Sequence, residues 1–144
     1  MVAMAAGIAK NGGKPVILDA ATFLQRTYDQ LTQDMALNNN AVTILSFPLG
    51  GGISPMDATH SSAFDLAMMS TIPNLRVLSP ATKEELLAML DWSLEQTDFP
   101  VMIRVPGGKV QTYDAGKAFN GDLSNQVTVK GNTVALLGLG AFYD

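Results

Sequence analysis

The sequence predicts an α/β fold: a doubly wound, mainly parallel sheet with helices on both faces. Three observations carry this. Short apolar, β-rich runs alternate with stretches of helical periodicity, the pattern of βαβ units. Several of these runs are apolar throughout, as strands buried on both faces require. Hydrophobic residues make up 47% of the chain and charged residues 15%, a balance that excludes disorder. At 144 residues the chain suits one domain, which buries roughly 68–70% of its unfolded surface.

The elements follow in order. Met1 to Asn11 is Ala-rich and helical, and Asn11-Gly12-Gly13 ends it. Pro15 to Leu18 forms a short strand. Thr22 is placed to cap a helix from Phe23 to Asn38, whose apolar positions Leu24, Tyr28, Leu31 and Met35 recur at spacings of four, three and four. Val42 to Leu45 is the second strand, followed by a glycine-rich loop and a short helix from Ala63 to Ser70. Leu75 to Leu78 is the third strand. Two helix starts compete after it: Ser79-Pro80, a cap with proline at the first helical position, and the box Thr82-x-x-Glu85. Leu86, Leu90 and Leu94 form the apolar face of that helix. Val101 to Arg104 is the fourth strand, stopped by Pro106-Gly107-Gly108. The composition then turns to glycine, asparagine and glutamine as far as Gly131, reading as a linker. Thr133 to Gly138 is expected as a last strand, the first of a following domain. The expected organisation is therefore residues 1–108, a linker 109–131, and residues 132–144.

Bulk properties exclude several functions. Net charge is −4, from nine Lys and Arg against thirteen Asp and Glu, with no basic stripe, so nucleic acid is not expected as a partner. Without cysteine there is no disulfide framework, thiolate catalyst or zinc–thiolate site, and with a single histidine no common transition-metal cluster. No apolar run reaches membrane-spanning length, and the apolar N-terminus lacks a basic n-region. A cytoplasmic location with no membrane partner is the expectation. Gly50-Gly51-Gly52 has no following Gly-Lys-Ser/Thr and is no P-loop. There is no Gly-x-Ser-x-Gly elbow.

The segment richest in chemistry is Thr59-His60-Ser61-Ser62-Ala63-Phe64-Asp65-Leu66, after the glycine-rich loop. The loop leaving the carboxyl end of a parallel strand is where such sheets bind ligands, and a histidine there can exchange protons near neutral pH. A surface histidine beside a helix start is the plain alternative. Arg26 and Arg104 are the cations best placed to meet an anionic sugar phosphate.

Several motifs occur together and in order: Ala5-Ala6-Gly7-Ile8-Ala9 and Gly13-Lys14-Pro15; Thr22-Phe23-Leu24-Gln25-Arg26-Thr27-Tyr28-Asp29-Gln30; Thr59 to Leu66; Ile72-Pro73-Asn74-Leu75-Arg76-Val77-Leu78-Ser79-Pro80-Ala81; and Ile103-Arg104-Val105-Pro106-Gly107. In this set the chain resembles the pyrimidine-binding domain of the transketolase superfamily, most closely its 1-deoxy-D-xylulose-5-phosphate synthase branch. The resemblance covers about residues 1–108, and Thr133 onward is similar to the start of the family's C-terminal domain.

The resemblance implies an enzyme that uses thiamine diphosphate and Mg2+, with the diphosphate and metal held by another domain or subunit and the aminopyrimidine held here. The complete enzyme would move a two-carbon unit from a keto donor to an aldehyde, with sugar-phosphate-like substrates, and would work as a homodimer. By resemblance Phe23 stacks on the cofactor ring, Arg26 lies beside the cofactor and the substrate channel, and His60 contacts substrate near the reacting carbons. Arg104 stands where it could partly replace a phosphate-binding arginine of the family, and Asp57 either takes the role of a family aspartate toward the substrate hydroxyls or forms an Asx-type turn.

The chain also departs from the family pattern. The family's aspartate four residues before the histidine is Met56 here, and Asp57 stands one place later. Two phosphate-binding arginines of the synthase branch would fall near Leu49 and at Gly107. Their absence argues against strict deoxyxylulose-phosphate synthase activity, because bidentate arginine forks supply much of the specific affinity for phosphate. The glutamate that drives the pyrimidine tautomer would lie before Met1, as would a first strand. The only glutamates here, Glu84, Glu85 and Glu95, fall on one expected helix. The chain is thus expected to be a fragment, inactive alone. The alternatives are a degenerate, non-catalytic domain that pairs with a diphosphate-binding subunit, and a stand-alone phosphate-binding module.

Overall fold

A computed structural model describes residues 1–48, 59–107, 112, 119–124 and 129–140. The elements run α1 (Val2–Lys10), β1 (Val16–Ala20), α2 (Ala21–Leu24), a 3-10 turn (Gln25–Thr27), α3 (Tyr28–Gln30), a π-helical turn (Leu31–Ala36), β2 (Thr43–Phe47), α4 (Asp65–Met69), β3 (Arg76–Leu78), α5 (Lys83–Glu95) and β4 (Val101–Arg104). The four strands make one sheet in the order β1-β2-β4-β3, parallel at every pairing. This is the doubly wound α/β architecture expected of the sequence.

Two apolar layers cover the sheet. On one face, Val2, Ala5 and Ala6 of α1, Leu24, Leu31, Met35 and Ala36 of the helical run and Met69 of α4 close over Ile17, Ile44 and Met102. On the other, Leu86, Met89, Leu90 and Trp92 of α5 cover Leu45, Leu78, Val101 and Ile103. Burying such side chains contributes roughly 1.5–3 kcal/mol each. A buried hydroxyl pair, Thr43 Oγ1 to Ser93 Oγ at 2.8 Å, ties β2 to α5. Leu18 of edge strand β1 lies beyond the reach of α5 and is 60% exposed.

Helix ends follow local chemistry. After α1 the Gly12 N–H donates to Ala9 O and the Gly13 N–H to Ile8 O, with Gly12 at φ +83°. This is the Schellman closure, which needs a left-handed residue that glycine adopts without a Cβ penalty. Of the two candidate starts for α5, Thr82 is the cap: its Oγ1 accepts the Glu85 N–H at 3.1 Å, and Glu85 Oε2 accepts the Ala81 N–H at 2.8 Å. The start at Ser79-Pro80 is therefore corrected. Thr82 satisfies an orphan amide of the first turn, and Glu85 reaches back to the amide just before the cap rather than to that of Thr82 itself.

Three further expectations are corrected. The stretch expected as one helix from Phe23 to Asn38 begins at Ala21 and breaks into α-helical, 3-10 and π-helical pieces. Thr22 does not cap it, because its hydroxyl lies inside α2 and donates to Thr59 O at 2.7 Å. Tyr28 leaves the apolar stripe: its side chain is exposed and its hydroxyl bonds Thr71 Oγ1 at 2.8 Å. The widened π turn buries Leu31, Met35 and Ala36 together.

The run from Thr133 to Gly138 is not a strand. It joins no ladder, and Leu136 and Leu137 are 93% and 96% exposed. A strand exists only where a neighbour takes its backbone groups, and no described residue does so. Phe119 stands edge-to-face on Trp92 at 5.4 Å, so part of the linker region packs on α5.

Candidate functional site

The residues expected to carry chemistry gather at the carboxyl ends of the strands, where open parallel sheets bind ligands. β1 leads directly into α2, which begins at Ala21 and carries Phe23. The connection after β2 returns at Thr59-His60, and β4 ends on Arg104. Asp57 lies outside the described residues, as do Met56, Leu49 and Gly50 to Gly52.

Phe23 is 47% exposed although its helix neighbours Thr22 and Leu24 are buried. It projects from the first turn of α2 with about half of its surface open, which suits a platform for a flat ring. Its ring also meets that of His60. The two rings stand at 86° with centroids 5.6 Å apart, an edge-to-face pair. His60 Nδ1 lies 3.1 Å from Thr59 Oγ1. The buried Thr22 hydroxyl holds the Thr59 carbonyl, so the histidine-bearing segment is pinned to the helix that carries the aromatic ring.

Arg104 lies on the same sheet face as Ser46 and Asp19, in one register row: Asp19 pairs with Ser46, and Ser46 with Arg104. Arg104 Nε donates to Asp65 Oδ2 at 2.7 Å, and Asp65 is 5% exposed. Asp65 Oδ1 accepts the Leu66 N–H at 2.7 Å, so both carboxylate oxygens are occupied. Asp65 carries no local signal of this role in the sequence, because its partner lies thirty-nine positions away.

Arg26 lies in the exposed 3-10 turn after α2 and forms no ion pair among the described residues, neither with Asp29 nor with Asp19. Glu84, Glu85 and Glu95 all sit on α5, on the sheet face opposite α2 and Phe23. Among the described residues no group of three or more His, Asp or Glu side chains could hold a metal ion, and no helix is long and apolar enough to cross a membrane. A cavity of about 320 Å3 opens at the opposite, amino ends of β1 and β2, beside Lys10, Lys14 and Asn39, away from these residues.

Comparison with known proteins decides the family. The transketolase pyrimidine binding domain matches residues 1–112. The chain belongs to that family. This pyrimidine-binding domain is 39% identical over 147 residues to the 1-deoxy-D-xylulose-5-phosphate synthase of Thioalkalivibrio sulfidiphilus, covering 96% of this chain and 22% of that protein. It is 40% identical over 142 residues to the synthase of Symbiobacterium thermophilum, covering 96% and 21%. The domain thus spans about a fifth of the length of the curated relatives it matches. Among solved structures it is similar to a split gene transketolase described as an inactive beta4 tetramer, with a TM-score of 0.69 and 26% identity over 81% of this chain and 37% of that one.

Proposed function

We propose that this domain forms the pyrimidine-side wall of a thiamine-diphosphate-dependent transferase that moves a two-carbon unit from a keto donor to an aldehyde, as in the 1-deoxy-D-xylulose-5-phosphate synthase branch. One observation carries the reading: Phe23 and His60 meet at the carboxyl end of the sheet, with half of the Phe23 surface open. The open aromatic platform fits the cofactor's aminopyrimidine. Bound there, the cofactor supplies stabilisation of carbanion character at the donor carbon. Phe23 stacks on the ring, with Arg26 beside it. His60 acts near the reacting carbons, where it donates a hydrogen bond to developing oxyanion charge or carries a proton, and Asp57 is assigned a catalytic role beside it from the sequence alone. Arg104 and Arg26 meet the sugar-phosphate-like substrate.

The chain's glutamates lie across the sheet from Phe23, so the acid that drives the pyrimidine tautomer comes from sequence outside this chain. The diphosphate and Mg2+ belong to a second domain or subunit, and the working unit is a homodimer. Residues 132–144 begin the domain that follows. The chain alone is therefore inactive. The test joins the glutamate-bearing segment of a related synthase to the front of the chain, adds that synthase's diphosphate-binding subunit, thiamine diphosphate and Mg2+, and follows consumption of a keto donor with an aldehyde acceptor. Turnover in the mixture and none in the isolated chain is the expected result. Turnover in the isolated chain would overturn the claim that it is inactive alone.

A second reading, a non-catalytic partner domain, is favoured by Gly107, which offers no side chain where the synthase branch carries an arginine. It predicts stable association with the diphosphate-binding subunit and no turnover in the mixture.

A further inference from the structure

Asp65 is nearly sealed from water, at 5% exposure. A carboxylate in that position must have its charge and lone pairs met by the protein. The Leu66 N–H takes one oxygen and Arg104 Nε the other, each at 2.7 Å. Arg104 itself is not sealed, its side chain being 21% exposed. A guanidinium offers five donors in a planar fork, and here one side of the fork is used. No described residue takes a hydrogen bond from either Nη group, so the edge formed by the two Nη groups is unspent.

An arginine ending a strand ordinarily samples many rotamers, and an anion that binds it must first order it. The bond to a buried acid on another element does that ordering in advance. The Asp65 carboxylate is held on its far side by the backbone of α4 and cannot swing with the arginine.

We propose that Asp65 is a positioning residue. It grips Arg104 by Nε so that the Nη edge is presented, pre-ordered, to an oxyanion, the phosphate or carboxylate of a ligand at the carboxyl end of the sheet. The proposal rests on the transferase reading only in taking that oxyanion to be part of the substrate. A planar fork gripped at Nε still offers two parallel donors, whereas the single ammonium of a lysine gripped by Asp65 has no second edge to offer.

The experiment titrates inorganic phosphate into the folded chain, following the Arg104 Nε–Hε resonance by NMR and the affinity by calorimetry. Asp65→Asn, Asp65→Glu and Arg104→Lys are compared with wild type, and circular dichroism checks each fold. Wild type is expected to bind with a saturating shift at Arg104. Asp65→Asn is expected to weaken binding by about tenfold, as loss of one ordering contact implies. Asp65→Glu restores part of the affinity, and adding Asp65→Asn to Arg104→Lys has no further effect. In the mixture that turns over, Asp65→Asn raises KM for a phosphorylated aldehyde by about tenfold, leaving kcat and the KM of an unphosphorylated aldehyde within about twofold.

Wild-type phosphate affinity in a folded Asp65→Asn chain would overturn the proposal, as would no phosphate binding at Arg104 in wild type. If Asp65→Asn does not fold, Asp65→Glu and Arg104→Lys decide: a purely structural pair leaves both with wild-type phosphate affinity, which overturns it too. Asp65-dependent phosphate binding without any turnover in the mixture refutes the transferase reading and keeps the positioning role.

Discussion

The rings of Phe23 and His60 stand at 86° with their centroids 5.6 Å apart, and the preceding residue of each is joined to the other by the Thr22 hydroxyl on the Thr59 carbonyl. A side chain on α2 and one on the loop after the second strand thus share one fixed geometry. In the proposed enzyme this places the cofactor platform and the proton-handling group in contact. Disturbing either is expected to be felt at the other.

Phe23→Ala should therefore separate folding from binding. The ring is half exposed, so its loss costs the fold about 1–2 kcal/mol from partial burial and the ring pair. The affinity of the assembled enzyme for thiamine diphosphate should fall by tenfold or more, because the stacking surface is gone. Urea denaturation of the chain and a calorimetric cofactor titration of the assembly check the two arms. An unchanged cofactor affinity would remove Phe23 from the site.

His60→Ala should lower kcat/KM of the assembled enzyme by roughly a hundredfold, the usual cost of losing one positioned donor or proton carrier. Cofactor affinity should stay within a few-fold of wild type, since Phe23 remains. His60→Gln, which keeps a donor without the proton exchange, should fall between. Comparing the pH profiles of steady-state kinetics for wild type and His60→Gln would show whether the proton or the hydrogen bond matters.

The fold was legible where the chain repeats simple physics. All four strands lie within a residue or two of their apolar runs; the central pair β2 and β4 are buried on both faces and so leave a continuous apolar signature, while edge strand β1 keeps its apolar run although Leu18 is exposed. What escaped was tertiary. The spacing of Leu24, Leu31 and Met35 is compatible with a regular helix, and only packing reveals the π turn and the exposure of Tyr28. Thr22 looks like a cap in sequence but finds its partner thirty-seven residues away. The run at Thr133 reads as a strand from composition alone, yet strand pairing is a property of two segments. The site was legible through motif resemblance, whereas the Asp65–Arg104 pair needed the sheet to bring β4 beside α4.

The two candidate starts of α5 make opposite demands on mutagenesis. Thr82 satisfies the Glu85 amide, so Thr82→Ala should cost about 1 kcal/mol. Ser79 makes no such contact, and Ser79→Ala should stay within about 0.5 kcal/mol. Chemical denaturation of both variants checks this. A larger cost at Ser79 than at Thr82 would contradict the observed cap.

Asp122 gives a pH dependence whose sign is fixed. Its carboxyl is held below the ordinary value of 3.8, first by the Ser124 N–H and then by the Ser124 hydroxyl. Oδ1 accepts that N–H at 2.8 Å. Because the folded value is the lower one, the contribution of this turn is present above the ordinary carboxylate range and is lost as pH falls through the depressed value. Proton titration of the Asp122 side chain by NMR should give a midpoint below that of the same residue in a peptide. Ser124→Pro, which removes the donor N–H, should bring it back up.

Ser46 tests the polar row beneath the site. Its side chain is fully buried between Asp19 and Arg104 in register, and its Oγ finds no hydrogen-bond partner among the described residues. A buried hydroxyl without a partner carries its desolvation cost with no return, and removing it is neutral or favourable. Ser46→Ala should therefore leave stability unchanged or raise it by up to about 1 kcal/mol. The same change should not weaken phosphate binding, because Arg104 is ordered by Asp65 and not by Ser46. Denaturant midpoints and the phosphate titration together decide it. A loss of more than about 1 kcal/mol would mean that the hydroxyl is bonded in solution, and the row would then be a connected network reaching from β1 to Arg104.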